Sequence, residues 1–113
     1  MSGAEFFFEE GCYITEVHNT PTDPAVSVAR ARVPAGTTTR WHVLDGIVER
    51  YLVEHGEGWA EVGDAAPRLL RAGDTLVIAA GQRQRIRNPG PAQLVFLAVC
   101  TPRFVREAYC DVE

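Results

Sequence analysis

The chain contains no lysine, since all 11 of its basic residues are arginine. That absence removes Schiff-base chemistry and a depressed-pKa amine base from the reactions open to it. Cysteine is scarce as well: Cys12, Cys100 and Cys110 are an odd number at no metal-ligand spacing, as in a cytosolic protein with reduced thiols. Cys100, inside the apolar run Leu94 to Cys100, reads as a small core residue and not as a nucleophile. No apolar run approaches the roughly 18 residues that a membrane helix requires, so no membrane partner is expected. The net charge is -4 with no basic stripe to meet phosphates, which argues against nucleic acid as a partner. The opening Met-Ser-Gly-Ala-Glu lacks the basic stretch and apolar centre of a secretory signal, so a cytoplasmic location is the expectation.

What is present is a chain of 113 residues, 46% hydrophobic and 23% charged, the size and composition of one globular domain. Turn residues punctuate it at short intervals, among them Pro34 to Gly36, Asp45-Gly46, Gly56 to Gly58, Gly73, Gly81 and Asn88 to Pro91. Between them lie short segments rich in Val, Ile, Leu, Tyr, Trp and Thr, which read as strands over Cys12 to Glu16, Ser27 to Val33, Thr38 to His42, Glu49 to Glu54, Gly58 to Val62, Thr75 to Ile78, Gln84 to Arg87 and Leu94 to Cys100. Strands of this number and length predict an all-β jelly-roll barrel, with a short helical turn near Val105 to Tyr109 after Pro102. The expected division is N-terminal strands and loop over 1–25, barrel core over 26–100 and a C-terminal tail over 101–113. Phe6-Phe7-Phe8 reads as an edge strand that needs covering by its own domain or by a second copy, and a homodimer is expected.

Strand alternation sorts the polar residues. Arg40, His42 and Leu44 share one face, as do Glu49, Tyr51 and Val53, and again Gln82, Gln84 and Ile86. If those faces line one interior, His42, Glu49 and Gln84 converge beside Tyr51. Arg83, Arg85 and Arg87 then form a solvated exterior face, and His18 and His55, in turn-rich segments, read as surface residues.

Two spaced segments add to this: Gly36-x5-His42-x-Leu44-x4-Glu49-x6-Gly56, then Gly73-x5-Ala79-x-Gly81-x2-Gln84-x3-Asn88. Together they resemble the two signature motifs of the cupin superfamily. The phrasing Glu49-Arg50-Tyr51, Gln84-Arg85-Ile86 and Cys100-Thr101-Pro102-Arg103-Phe104 is similar to that of a subgroup of small bacterial cupins. The resemblance implies a double-stranded β-helix whose interior holds metal ligands at the positions of His42, Glu49 and Gln84. The chain departs from the family pattern at Leu44 and Gln84, where cupins carry histidines, and at Ala79, usually a proline. Leu44 cannot ligate.

An imidazole nitrogen, a carboxylate and an amide oxygen would suit iron(II), manganese or nickel, with zinc as a further candidate. The first reading is therefore a metal-dependent oxygenase, isomerase or lyase acting on a small polar organic molecule, with His42, Glu49 and Gln84 holding the ion. A second dispenses with the metal and makes His42 the general base of a dehydratase or epimerase, with Glu49 or Tyr51 as its catalytic partner. A third is a non-catalytic small-ligand-binding module. Substrate contacts would come from Arg40, Tyr51 and Gln82. For Arg40, a bidentate clamp on an anion and an exposed strand-end arginine are equally open.

Overall fold

The computed structural model describes residues 3–113, so Met1 and Ser2, at the head of the expected 1–25 segment, lie outside the described residues. Its strands are β1 (Phe6–Phe8), β2 (Cys12–His18), β3 (Ser27–Val33), β4 (His42–Leu44), β5 (Val48–His55), β6 (Glu57–Val62), β7 (Arg68–Arg71), β8 (Thr75–Ile78), β9 (Gln84–Arg87), β10 (Leu94–Thr101) and β11 (Tyr109–Asp111). They form a six-stranded sheet in the order β1-β2-β3-β10-β5-β8 and a five-stranded sheet in the order β11-β4-β9-β6-β7. Every pairing between these strands is antiparallel. The helical turn expected after Pro102 is a 3₁₀ turn over Arg106–Ala108.

The period-two pattern sets which face of each strand is buried. In β10, Leu94, Phe96, Ala98 and Cys100 are buried while Val95, Leu97, Val99 and Thr101 are only partly covered. β5 does the same with Glu49, Tyr51 and Val53 inward. The inward sets of both sheets meet in a core that includes Val33, Leu70, Ile78, Ile86 and Phe96. A second cluster of Leu44, Ile47, Cys100, Ala108 and Tyr109 closes one end, with Phe8 and Phe104 packed against it. Burying such side chains stabilises by about 1.5–3 kcal/mol each, which lets a chain this short hold two sheets together. The β5–β6 hairpin turns at Gly56, whose φ is +75° and where a Cβ would lie 2.2 Å from the Gln93 carbonyl oxygen, so only glycine fits.

One expected strand is displaced. Thr38 makes an isolated bridge to Arg87, and regular pairing resumes only at His42. Between them the Thr39 hydroxyl stands in for the ladder, accepting from the Ile86 N–H at 2.9 Å, while the Thr39 N–H donates to the Ile86 carbonyl at 2.9 Å. Thr39 and His42, three positions apart, are therefore both buried, and Arg40 is exposed. The alternation argument fails here because residues 39–41 are not in an extended ladder. β7 and β11 were not expected from the sequence. β7 carries charges at both ends of a short Leu-Leu pair, and β11 follows the 3₁₀ turn in what read as helical sequence.

Candidate functional site

The two sheets deliver the polar interior from opposite sides. β4 and β9 pair His42 with Gln84 in the five-stranded sheet, and β5 of the six-stranded sheet presents Glu49 and Tyr51. His42, Glu49, Tyr51 and Gln84 are all at least nine-tenths buried. Buried polar groups require partners, and three of these four find them in one another. The Tyr51 hydroxyl donates to Gln84 Oε1 at 2.5 Å, and Gln84 Nε2 donates to Glu49 Oε1 at 2.9 Å. The other Glu49 oxygen faces the Cys100 thiol at 3.9 Å. With Oε1 accepting from Gln84, Oε2 is the Glu49 oxygen that can carry or give up a proton.

His42 is held differently. Its Nδ1 lies 2.7 Å from the Arg40 carbonyl, which can only accept, so Nδ1 carries the proton and Nε2 keeps its lone pair in the neutral ring. Nε2 faces Glu10 Oε2 at 3.5 Å. The Tyr109 ring stacks on the imidazole, with centroids 5.3 Å apart and planes 25° apart. Glu10 sits in the turn between β1 and β2, and that turn is tied to the segment before β4 by the Arg40 N–H donating to the Glu10 carbonyl at 2.7 Å. Neither Glu10 nor Tyr109 was singled out by sequence reasoning. Glu10 belongs to no strand period, and Tyr109 was assigned to a helical turn.

Burial pushes the Glu49 carboxyl up to about 7, and the nearby Glu10 charge adds to the effect against the opposing influence of His42 and the Gln84 amide. Burial alone raises Glu10 to about 7. Near neutrality the pocket thus holds two carboxyl groups that can each give or take a proton. Burial and the Glu49 charge raise the Cys100 thiol, and burial with charge from Glu10 and Glu49 raises Cys12, so neither is a thiolate nucleophile. Burial likewise keeps the Tyr51 phenol protonated.

Glu10, His42, Glu49 and Tyr51 line one cavity of about 70 Å³, walled by Phe6, Phe8, Ile14, Phe96 and Phe104. A single buried water needs about 10–15 Å³ on this scale, so the space admits a few waters or part of a small molecule. Two residues expected to contact substrate lie elsewhere. Arg40 is exposed and its Nε donates to Asp111 Oδ2 at 2.6 Å. Gln82 is also exposed, in the turn before β9 where its N–H donates to the Ala79 carbonyl at 3.2 Å, so alternation from Gln84 does not extend back to it.

Sequence reading gives His42, Glu49 and Gln84 to a divalent ion, and the structure brings the three side chains to one region of the interior. The Gln84 oxygen is taken by Tyr51, its NH₂ group faces Glu49, and Leu44 is packed among Ile47, Cys100 and Tyr109. Among the described residues no three His, Cys, Asp or Glu side chains group as metal ligands. In this arrangement the Gln84 amide is engaged by Tyr51 and Glu49, so an ion held by His42, Glu49 and Gln84 would require the amide to turn.

The family model for the cupin domain matches residues 29–100, more than half of the chain. Among solved structures, an uncharacterised protein with a double-stranded β-helix domain from Klebsiella pneumoniae superposes with a TM-score of 0.78 at 22% identity, covering 94% of this chain and 88% of that one. Pac13 of Streptomyces, described as a nucleoside dehydratase, gives a TM-score of 0.81 at 17% identity over 97% of this chain and 84% of Pac13. A Thermotoga maritima protein described as a predicted oxalate decarboxylase gives 0.72 at 25% identity, with 88% and 90% covered. No curated protein sequence matches. Glu10 and Tyr109 both fall outside the matched span.

Proposed function

We propose that this chain, which belongs to the cupin family, is an acid–base enzyme that moves a proton on a small polar organic molecule without a resident metal ion, in a dehydration or epimerisation. The observation that supports the reading is the pair of buried groups that can move a proton in one cavity, His42 with Nε2 facing Glu10 and Glu49 beside them, while the Gln84 amide is engaged by Tyr51 and Glu49. His42 is the general base, because the Arg40 carbonyl fixes the tautomer that leaves Nε2 free in the cavity. Glu49, with a pKa near 7, is the general acid.

In a dehydration, Nε2 takes the proton from the carbon next to an electron-withdrawing group. The C–H electron pair becomes the new double bond, the C–O bond breaks, and the Glu49 proton leaves with the hydroxyl as water. Glu10, 3.5 Å from Nε2, then accepts the imidazolium proton and resets the base. In an epimerisation the proton returns to the other face of the same carbon. The substrate is the principal partner, the domain spans 1–113, and a second copy pairs across the exposed Phe6–Phe8 edge.

The test is hydrogen exchange from D₂O into a panel of small hydroxylated carbonyl compounds and nucleosides, followed by NMR on protein purified without chelator. The expected result is exchange that survives a strong chelator and falls at least about 10²-fold in His42→Gln. The metal-dependent reading, with iron, manganese, nickel or zinc on His42, Glu49 and Gln84, prevails if chelation abolishes exchange and one ion restores it. Ligand-induced stabilisation with no exchange for any compound leaves a binding module.

A further inference from the structure

Among the described residues the Tyr109 hydroxyl, buried in a residue only 7% exposed, has no hydrogen-bond partner, and Tyr109 lines the same cavity as Glu10 and His42. Leaving a buried hydroxyl unpaired costs about 1–3 kcal/mol, a penalty that a ligand hydroxyl or amine placed against it would remove. The aromatic ring is already fixed, edge-on to Phe8 at 5.0 Å and stacked on His42, so the hydroxyl has little freedom to seek a partner elsewhere.

The charge of the cavity is one-sided. Two carboxyl groups, Glu10 and Glu49, line its polar end, and none of the 11 arginines is among the lining residues. Arg40 pairs outside with Asp111, and Arg106 pairs with Glu9 while lying 5.6 Å from the Tyr109 ring and 5.7 Å from the Phe8 ring, outside the lining itself. The hydrogen-bonding capacity at this end is mostly acceptor: the Glu10 carboxylate, with one oxygen 3.5 Å from His42 Nε2, and the Glu49 oxygen that meets only the Cys100 thiol at 3.9 Å. Tyr109 is a free hydroxyl that can donate as well as accept. Above pH 7, where Glu10 and Glu49 are ionised, a carboxylate or phosphate would meet like charge in a setting that screens charge poorly, with no arginine among the lining residues to offset it.

We propose that Tyr109, stacked on the face of His42, and Glu10, beside its Nε2, form the recognition half of the cavity and select a neutral or cationic small molecule bearing a hydroxyl or amine over carboxylates and phosphates. The Glu10 carboxylate accepts from the ligand's hydroxyl or ammonium, and the Tyr109 hydroxyl completes the contact. Both residues come from segments outside the matched cupin span, so the specificity half of the pocket is built by the two ends of this chain around a family-typical barrel. The proposal rests on the acid–base reading only for which part of the ligand reacts.

The experiment is thermal unfolding and calorimetric titration of the full chain at about pH 8, above the raised carboxyl groups, with 2-aminoethanol, glycerol, acetate and inorganic phosphate. Binding of 2-aminoethanol or glycerol but of neither anion is expected. Tyr109→Phe, which keeps the ring and its stacking, should weaken that binding about tenfold, and Glu10→Gln should let acetate bind. On the wild-type chain, ¹³C labelling of the tyrosine Cζ carbons should show the Tyr109 resonance moving with the bound ligand, which needs no variant to fold. Anion binding as tight as that of 2-aminoethanol, binding of none of the four, an unchanged affinity in Tyr109→Phe or an unmoved Tyr109 resonance each overturn the proposal. Because binding is read without turnover, loss of hydrogen exchange with this selectivity intact sinks the acid–base reading alone.

Discussion

Gln84 Nε2 donates to Glu49 Oε1 at 2.9 Å, bridging the two sheets at the floor of the cavity. The bond determines what both residues can do. An amide whose N–H points at a carboxylate holds that carboxylate in place and keeps its own oxygen turned away, here onto Tyr51. The consequence is a Tyr51–Gln84–Glu49 chain of hydrogen bonds where cupins carry a histidine ligand.

Gln84→Ala would strand the Tyr51 hydroxyl and a Glu49 oxygen in the interior and leave a cavity between the sheets. We expect a loss of about 2–5 kcal/mol in urea unfolding, set by the unpaired groups and the lost packing. A loss below about 1 kcal/mol would show that the chain of hydrogen bonds is not what holds this region.

The two raised carboxyl groups make stability depend on pH. Folding lifts Glu49 and Glu10 from about 4.5 to about 7, so the folded state holds protons that the unfolded state has released. Their contribution is fully present below about pH 4.5 and is lost as pH rises through 7. Glu49→Gln removes the charge and keeps an acceptor for Gln84. It should match wild type at pH 4 and be more stable at pH 8 by on the order of 2 kcal/mol, read from denaturation at both pH values. Equal stabilities at pH 8 would contradict a raised Glu49.

Restoring the family's ligand types should restore metal binding. The double variant Leu44→His, Gln84→His places imidazoles at the two positions where this chain departs from the cupin pattern, beside His42 and Glu49. It is expected to retain one equivalent of a divalent ion after gel filtration, with the wild type retaining none by elemental analysis. Retention of an ion by the wild type would argue that Gln84 rotates to ligate.

Phe7 is 61% exposed on the edge strand β1 and meets Tyr13 edge-on at 5.3 Å. If a second copy covers this edge, Phe7→Ser should shift the chain from dimer to monomer in sedimentation and leave the fold intact, since the residue lies outside both core clusters. A wild-type chain that sediments as a monomer would remove the expectation of a homodimer.

Much of the barrel was legible because alternation is a local property. Ser27–Val33, Thr75–Ile78 and Gln84–Arg87 stand at their expected bounds, and β5 and β10 differ by a residue at one or both ends. Alternation also put Glu49 and Tyr51 on one face and turned Gln84 inward. It failed where the chain leaves the ladder. Arg40 and Gln82 were assigned inward by counting back from His42 and Gln84, and both counts crossed residues that are not extended.

The sequence by itself determined the antiparallel barrel, the inward face of β5 and the departure from a four-ligand centre at Leu44 and Gln84, because side-chain direction in a strand follows from its immediate neighbours. Only the tertiary structure decided that Glu10 would face His42, that Tyr109 would stack on it, and which way the Gln84 amide would turn. Those outcomes depend on contacts between residues far apart in the chain, such as the Arg40 N–H on the Glu10 carbonyl, and on how buried donors and acceptors from different strands pair. No period along the chain records them.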